Sequence, residues 1–144
     1  MSLSINRSAL VMHSSERMSA LVNDVASYPQ FLPWCSSAVV LDESNEFMLA
    51  SIEVKKGAVK QSFTTRNDLS VDGRILMNLV DGPFSHLKGG WDFIHLQENA
   101  CKVVLTLDFK LKRNLAKVAF EAVFKQAANS MVDAFCERAN QVYR

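Results

Sequence analysis

The sequence is sparing with the residues that define many small-protein chemistries. Only three of its 144 residues are cysteine: Cys35, Cys101 and Cys136. They lie far apart, form no CxxC pair and match no metal-ligand spacing. An odd number cannot all pair within the chain, so they read as reduced, mostly buried thiols in a cytoplasmic protein. No stretch approaches the roughly 20 apolar residues that span a bilayer. Asn6 and Arg7 interrupt the first twelve residues, which therefore lack the uninterrupted apolar region of a secretion signal. The net charge is only +1. That near-balance argues against a broadly basic nucleic-acid surface, and no DNA partner is expected.

Catalytic signatures are missing too. There is no HExxH, no GxSxG and no P-loop. Of the three histidines, His13 falls in a strand-to-helix turn, while His86 and His95 share one expected strand. A nucleophile built from Cys35 or Cys101 has no neighbour to orient its base. The carboxylates Asp42 and Glu43 fall at a turn. A catalytic reading therefore finds little support in the residues, and no metal site is expected.

What is present is a long amphipathic segment at the end of the chain. Leu115 to Arg144 contains no Gly and no Pro, and Ala recurs through it, which favours helix. Phe120, Val123, Phe124, Ala127, Ala128, Met131, Ala134, Phe135, Ala139 and Val142 recur mostly at spacings of three and four. That places them on one face. Such a stripe must be covered, and what precedes it reads mostly as strand.

The preceding elements follow from period and punctuation. Ser2–Met12 alternates weakly and predicts a first strand. Ser14 or Ser15 caps a short helix running to about Val25. A second irregular or helical turn covers Tyr28–Trp34, where Pro29 and Pro33 stop any long helix. Period two then dominates: strands are expected over Ala38–Asp42, Phe47–Val54, Val59–Leu69, Arg74–Val80, Phe84–Leu96 and Lys102–Lys112. Polar and glycine-containing turns, Asp72-Gly73 the sharpest, make them sequential antiparallel hairpins. A bend is expected at Gly89-Gly90. The fold class is α+β: a curved antiparallel sheet wrapped around the long C-terminal helix, with two short helices after the first strand, in one domain spanning residues 1–144.

Two stretches carry a more specific signal. One is Asp24-Val25-Ala26-Ser27-Tyr28-Pro29-Gln30-Phe31-Leu32-Pro33-Trp34-Cys35. The other runs from Asp81-Gly82-Pro83-Phe84 through Gly89-Gly90-Trp91-Asp92-Phe93. Together they resemble the family of the ribosome association toxins (RatA) and the mitochondrial coenzyme Q-binding proteins. That family lies within the START-like, polyketide cyclase-like (SRPBCC) superfamily. The resemblance covers essentially the whole chain and implies a helix-grip fold with a cavity between sheet and long helix. It implies a binding protein without a cofactor. The ligand it suggests is ubiquinone or a similar polyprenyl quinone, held in support of respiration, with a peripheral membrane encounter. The alternative it offers is a toxin-like regulator that binds the large ribosomal subunit and blocks subunit association.

Candidate site residues follow from both sources. Tyr28, Phe31, Trp34, Phe84, Leu87, Trp91 and Phe93 concentrate rings and apolar bulk at two turns, where they either close the core or cover a cavity mouth. Phe124 and Met131 bring the helix face to the same cavity. Gly89 and Gly90 are expected to leave space on the concave side. Lys110, Lys112, Arg113 and Lys117 cluster between the last strand and the helix; they are a solvated face or an RNA-phosphate contact surface. Lys55, Lys56 and Lys60 form a second basic cluster at one hairpin.

Overall fold

The computed structural model of the protein describes residues 3–112 and 117–143. The chain opens with β1 (Leu3–Val11) and the short helix α1 (Ser15–Asn23). Ser14 caps α1: its backbone is extended and its hydroxyl oxygen accepts from the Arg17 amide at 3.2 Å. Acidic Glu16 sits in the first turn, where the helix dipole favours it. The helix stops at Asn23, two residues earlier than its apolar pattern predicts. Asp24 leaves helical geometry with ψ 66°, and its amide turns back to the Leu21 carbonyl. A 3₁₀ turn follows at once over Val25–Gln30, so the second helical piece begins ahead of the Tyr28–Trp34 stretch.

Six strands come next: β2 (Cys35–Glu43), β3 (Phe47–Lys56), β4 (Val59–Asp68), β5 (Arg74–Asp81), β6 (Phe84–Gln97) and β7 (Ala100–Leu111). With β1 they form a seven-stranded sheet in the order β1-β7-β6-β5-β4-β3-β2, and every neighbouring pair is antiparallel. Period two decides which face is inside. In β7 the alternate residues Cys101, Val103, Leu105, Leu107, Phe109 and Leu111 are all buried. Gly73 adopts φ +76° in the β4–β5 connection, the left-handed conformation that its Asp-Gly signal implies.

Helix α2 (Lys117–Val142) lies across the concave side, about 39 Å long at about 1.5 Å per residue. It buries Phe120, Phe124, Ala127, Ala128, Val132, Phe135 and Ala139 against the sheet. Val142 ends the expected stripe but is 47% exposed, while Val132 joins the buried face. The architecture is the α+β helix-grip arrangement.

Gly89 and Gly90 do something other than open space. A Cβ on Gly89 would fall 2.1 Å from the Thr106 carbonyl oxygen, and one on Gly90 would fall 2.3 Å from that of Ile75. These atoms belong to β7 and β5, the strands on either side of β6. The sheet closes so tightly here that glycine is required for backbone approach, and neither residue faces a void.

Candidate functional site

The core is divided into two clusters of buried side chains. One centres on Trp91, Leu105 and Phe135, packed against Met18, Leu21 and Val22 of α1. The other centres on Phe84, Phe109, Phe120 and Phe124. Between them, under the middle of α2, lies an apolar cavity of about 60 Å³. Sheet residues Ala50, Ile52, Phe63, Met77, Leu87, Trp91, Leu105 and Leu107 form its walls; Phe124, Ala127, Ala128 and Met131 cover it from the helix. Val25, Tyr28 and Trp34 close the end nearest the proline-containing segment. The small alanines at the centre of α2 leave the gap, because larger side chains there would fill it.

Among the described residues no charged side chain lines this cavity; besides the ring-borne O–H of Tyr28 and N–H groups of Trp34 and Trp91, its polar members are Thr65 and Asn67 of β4. Both are buried, at 6% and 8% exposure. The Thr65 hydroxyl donates to Asn67 Oδ1 at 2.9 Å. Two residues apart on one strand, they share the concave face.

Trp34 marks the boundary with solvent. It is half-buried and lines both the cavity and an outer groove of about 260 Å³, as does Ala127. The groove runs past Pro33, Lys55, Lys56, Val123, Gln126 and Ser130. Lys56 Nζ donates to Gln126 Oε1 across it at 2.7 Å, and the Lys55 amide holds the Trp34 carbonyl at 2.8 Å.

The residues singled out from the sequence are distributed unevenly around this feature. Tyr28, Trp34, Leu87, Trp91, Phe124 and Met131 line the cavity. Phe31, Phe84 and Phe93 do not. Phe31 is half-buried, meets Tyr28 and Phe135 edge to face, and carries the Arg138 guanidinium 5.0 Å from its ring centroid. Phe84 is buried within the second cluster, against Phe63, Phe109, Phe120 and Phe124. Phe93 lies beside Trp91, its ring nearly parallel at 6.2 Å, and faces the α1 side. Sequence reasoning passed over Thr65 and Asn67. The available signal was two polar residues in the inward register of β4, between Phe63 and Leu69.

Of the basic cluster, Lys110 and Lys112 are exposed. Arg113 and the side chain of Lys117 lie outside the described residues. In the other cluster Lys60 pairs with Glu53 at 3.8 Å.

Titratable groups elsewhere offer little for catalysis. Burial pushes the Cys35 thiol up to about 11, partly offset by a backbone hydrogen bond at Ser37. Burial also raises Cys101 and Cys136, and all three are free thiols. Neutral thiols are poor nucleophiles. The Tyr28 hydroxyl donates to the Val22 carbonyl, and burial holds its pKa far above the ordinary phenol value. His13 lies 2.8 Å from Asn140 Oδ1, tying the β1–α1 connection to α2. Among the described residues no cluster of three His, Cys, Asp or Glu could hold a metal ion, and no helix is long and apolar enough to cross a membrane.

Comparison with known proteins gives this geometry its context. The family described as polyketide cyclase / dehydrase and lipid transport matches residues 11–136. A protein named ribosome association toxin RatA, from Pseudomonas aeruginosa, is 50% identical over 143 residues, covering 99% of each chain. A Xenopus laevis protein named mitochondrial coenzyme Q-binding protein COQ10 homolog B is 28% identical over 146 residues, covering 96% of this chain and 58% of that one. Among solved structures, the ZhuI aromatase/cyclase from Streptomyces sp. R1128 superposes with TM-score 0.86 at 19% identity, covering 100% of this chain and 97% of its own.

Proposed function

The chain belongs to the polyketide cyclase / dehydrase and lipid transport family, with the START-like helix-grip fold, and from that membership we propose that it is a non-enzymatic binding protein for a neutral apolar ligand. The ligand class we favour is a polyprenyl quinone, by analogy with the coenzyme Q-binding relative. It would act in the cytoplasm as one domain over residues 1–144 and meet membranes only peripherally. The observation that carries the reading is the uncharged cavity between the two core clusters, separated from an outer groove by Trp34. The neutral thiols, and the lack of an oriented base among the described residues, fit binding rather than turnover.

The cavity is closed to about 60 Å³. Drug-sized ligands occupy pockets of about 300 Å³ or more. Ligand entry therefore requires the cavity to widen. Met77 and Met131 line it, and these unbranched thioethers repack at low cost. Displacing Trp34 would join cavity and groove. Burial of an isoprenoid tail would then contribute about 25 cal/mol per Å².

The test is organic extraction of the purified protein followed by mass spectrometry. A neutral quinone or related lipid, retained by the wild type and lost when Ala128→Phe fills the cavity, is the expected result. An extract identical for the two proteins would remove the reading.

A second reading has its own support. Half-identity over nearly the full length to a ribosome association toxin favours a regulator that binds the large ribosomal subunit and blocks subunit association. Lys110 and Lys112, exposed where β7 ends, would contact RNA phosphates, with Arg113 and Lys117 beside them in sequence. Salt-sensitive cosedimentation with large subunits tests it; an apolar ligand does not exclude it.

A further inference from the structure

We infer that the Thr65–Asn67 pair is a polar anchor, which selects a neutral ligand bearing a carbonyl oxygen and seats that end of it deep against β4. The inference rests on the cavity-binding reading and specifies the chemistry of that site.

The argument begins with unused hydrogen-bonding capacity. An asparagine amide has two N–H donors and a carbonyl with two lone pairs. Within the protein, Asn67 uses one lone pair, to accept from Thr65 at 2.9 Å. Its amide nitrogen makes no side-chain hydrogen bond among the described residues, although Asn67 is only 8% exposed. Turning the amide over gives the same outcome: Nδ2 would donate to the Thr65 oxygen, and the threonine O–H would become the free donor. Either way one donor of the pair has no protein partner among the described residues, and it keeps some accessible surface, so an atom entering the cavity can reach it.

The neighbours cannot supply that partner. Ala50 and Leu79 flank Thr65 across the sheet, and Met48 and Met77 flank Asn67. All four are apolar. The remaining direction is the cavity, which both residues line. An acceptor atom placed there completes the pair.

The cavity also constrains charge. Among the described residues no Lys, Arg or His lines it, so a buried carboxylate or phosphate would lose its hydration without a counter-charge. A carbonyl oxygen meets the requirement: it accepts hydrogen bonds and carries no net charge. The rest of the ligand would run beneath Ala127 and Ala128 toward Trp34. This orientation is polar end inward, with the apolar tail toward the mouth.

The test uses the chain's two tryptophans, Trp34 and Trp91, which both line the cavity and report binding by fluorescence. The probes are decylubiquinone and decylbenzene, which share the tail and differ in the carbonyls. Thr65→Val combined with Asn67→Leu removes both donors while keeping approximate size; Asn67→Leu alone would free the Thr65 hydroxyl to donate in its place. The expected result is that the double variant weakens decylubiquinone about fivefold, the value of one neutral hydrogen bond, and leaves decylbenzene unchanged. Equal losses for both probes would make the pair a packing element and overturn the inference. Unchanged decylubiquinone affinity would overturn the anchor while the cavity reading stands. If the wild type binds neither probe, the cavity reading fails and takes the anchor with it.

Discussion

The rings of Phe84 and Phe124 meet edge to face with centroids 5.0 Å apart, joining the start of β6 to the first third of α2. Phe109 of β7 reaches the same helix ring at 4.8 Å. Through these rings the sheet holds the helix on the side of the cavity away from Trp91 and Phe135. Phe124→Asp would bury an unpaired carboxylate among aromatic rings and should cost several kcal/mol, on the order of the whole stability of many domains. Urea denaturation checks this. A wild-type midpoint would mean that the ring cluster does not hold the helix.

Trp34 separates cavity from groove, so Trp34→Ala should speed ligand entry and release more than it changes stability. Trp91→Ala removes a side chain that is 1% exposed and should cost about 3–5 kcal/mol, as large-to-small core changes do. Stopped-flow binding of decylubiquinone, followed for Trp34→Ala by the remaining tryptophan, distinguishes the two positions. Equal rates in wild type and Trp34→Ala would place the entrance elsewhere.

Gly89→Ala should destabilise strongly, because its Cβ would collide with the Thr106 carbonyl, and strand backbone cannot move aside alone. The expected cost is roughly 1–3 kcal/mol or more, as for other overpacked sites. A thermal melt within error of wild type would show that the β6–β7 approach relaxes freely.

Stability should fall in alkaline solution between the usual thiol value of 9.0 and about 11. The folded pKa of Cys35 is raised, so the native state keeps a proton that the unfolded chain releases. That contribution is complete below 9.0 and is lost as pH rises through about 11. Tyr28, also raised by burial, acts in the same direction above the phenol range. Cys35→Ala should flatten the lower part of the decline; an unchanged pH profile would assign it to other groups.

If the chain binds ribosomes through its exposed basic residues, Lys110→Glu with Lys112→Glu should weaken cosedimentation. The slope of log affinity against log salt should become shallower by about one for each phosphate that is no longer neutralised. An intact salt slope would direct attention to Lys55 and Lys56 at the groove.

Much of the architecture was legible because it is local. Period-two runs gave all the strands, and the alanine-rich apolar stripe gave α2. Ser14 gave the α1 cap, and Asp72-Gly73 gave a turn. Each signal depends on neighbours within a few residues, which is the range over which dihedral preference and face alternation act. Errors came where backbone outweighed pattern. The apolar spacing of α1 runs on to Val25, but Asp24 leaves helical geometry first.

The cavity was legible only in outline. The aromatic motifs marked the neighbourhood, and Tyr28, Trp34, Leu87 and Trp91 reach it, but nothing local separates these from Phe31, Phe84 and Phe93. That division depends on which rings pack against the helix and which against one another. Gly89 and Gly90 suggested empty space, whereas the curvature of the assembled sheet brings two neighbouring strands onto them. Thr65 and Asn67 look like ordinary strand polar residues in sequence. They become unusual only when β3, β5 and α2 surround them with apolar side chains. The sequence by itself determined the elements, their order and the apolar face of the helix, because those follow from short-range periodicity. Only the tertiary structure decided where the core fails to fill and which polar atoms face that gap, because packing sums over residues far apart in the chain.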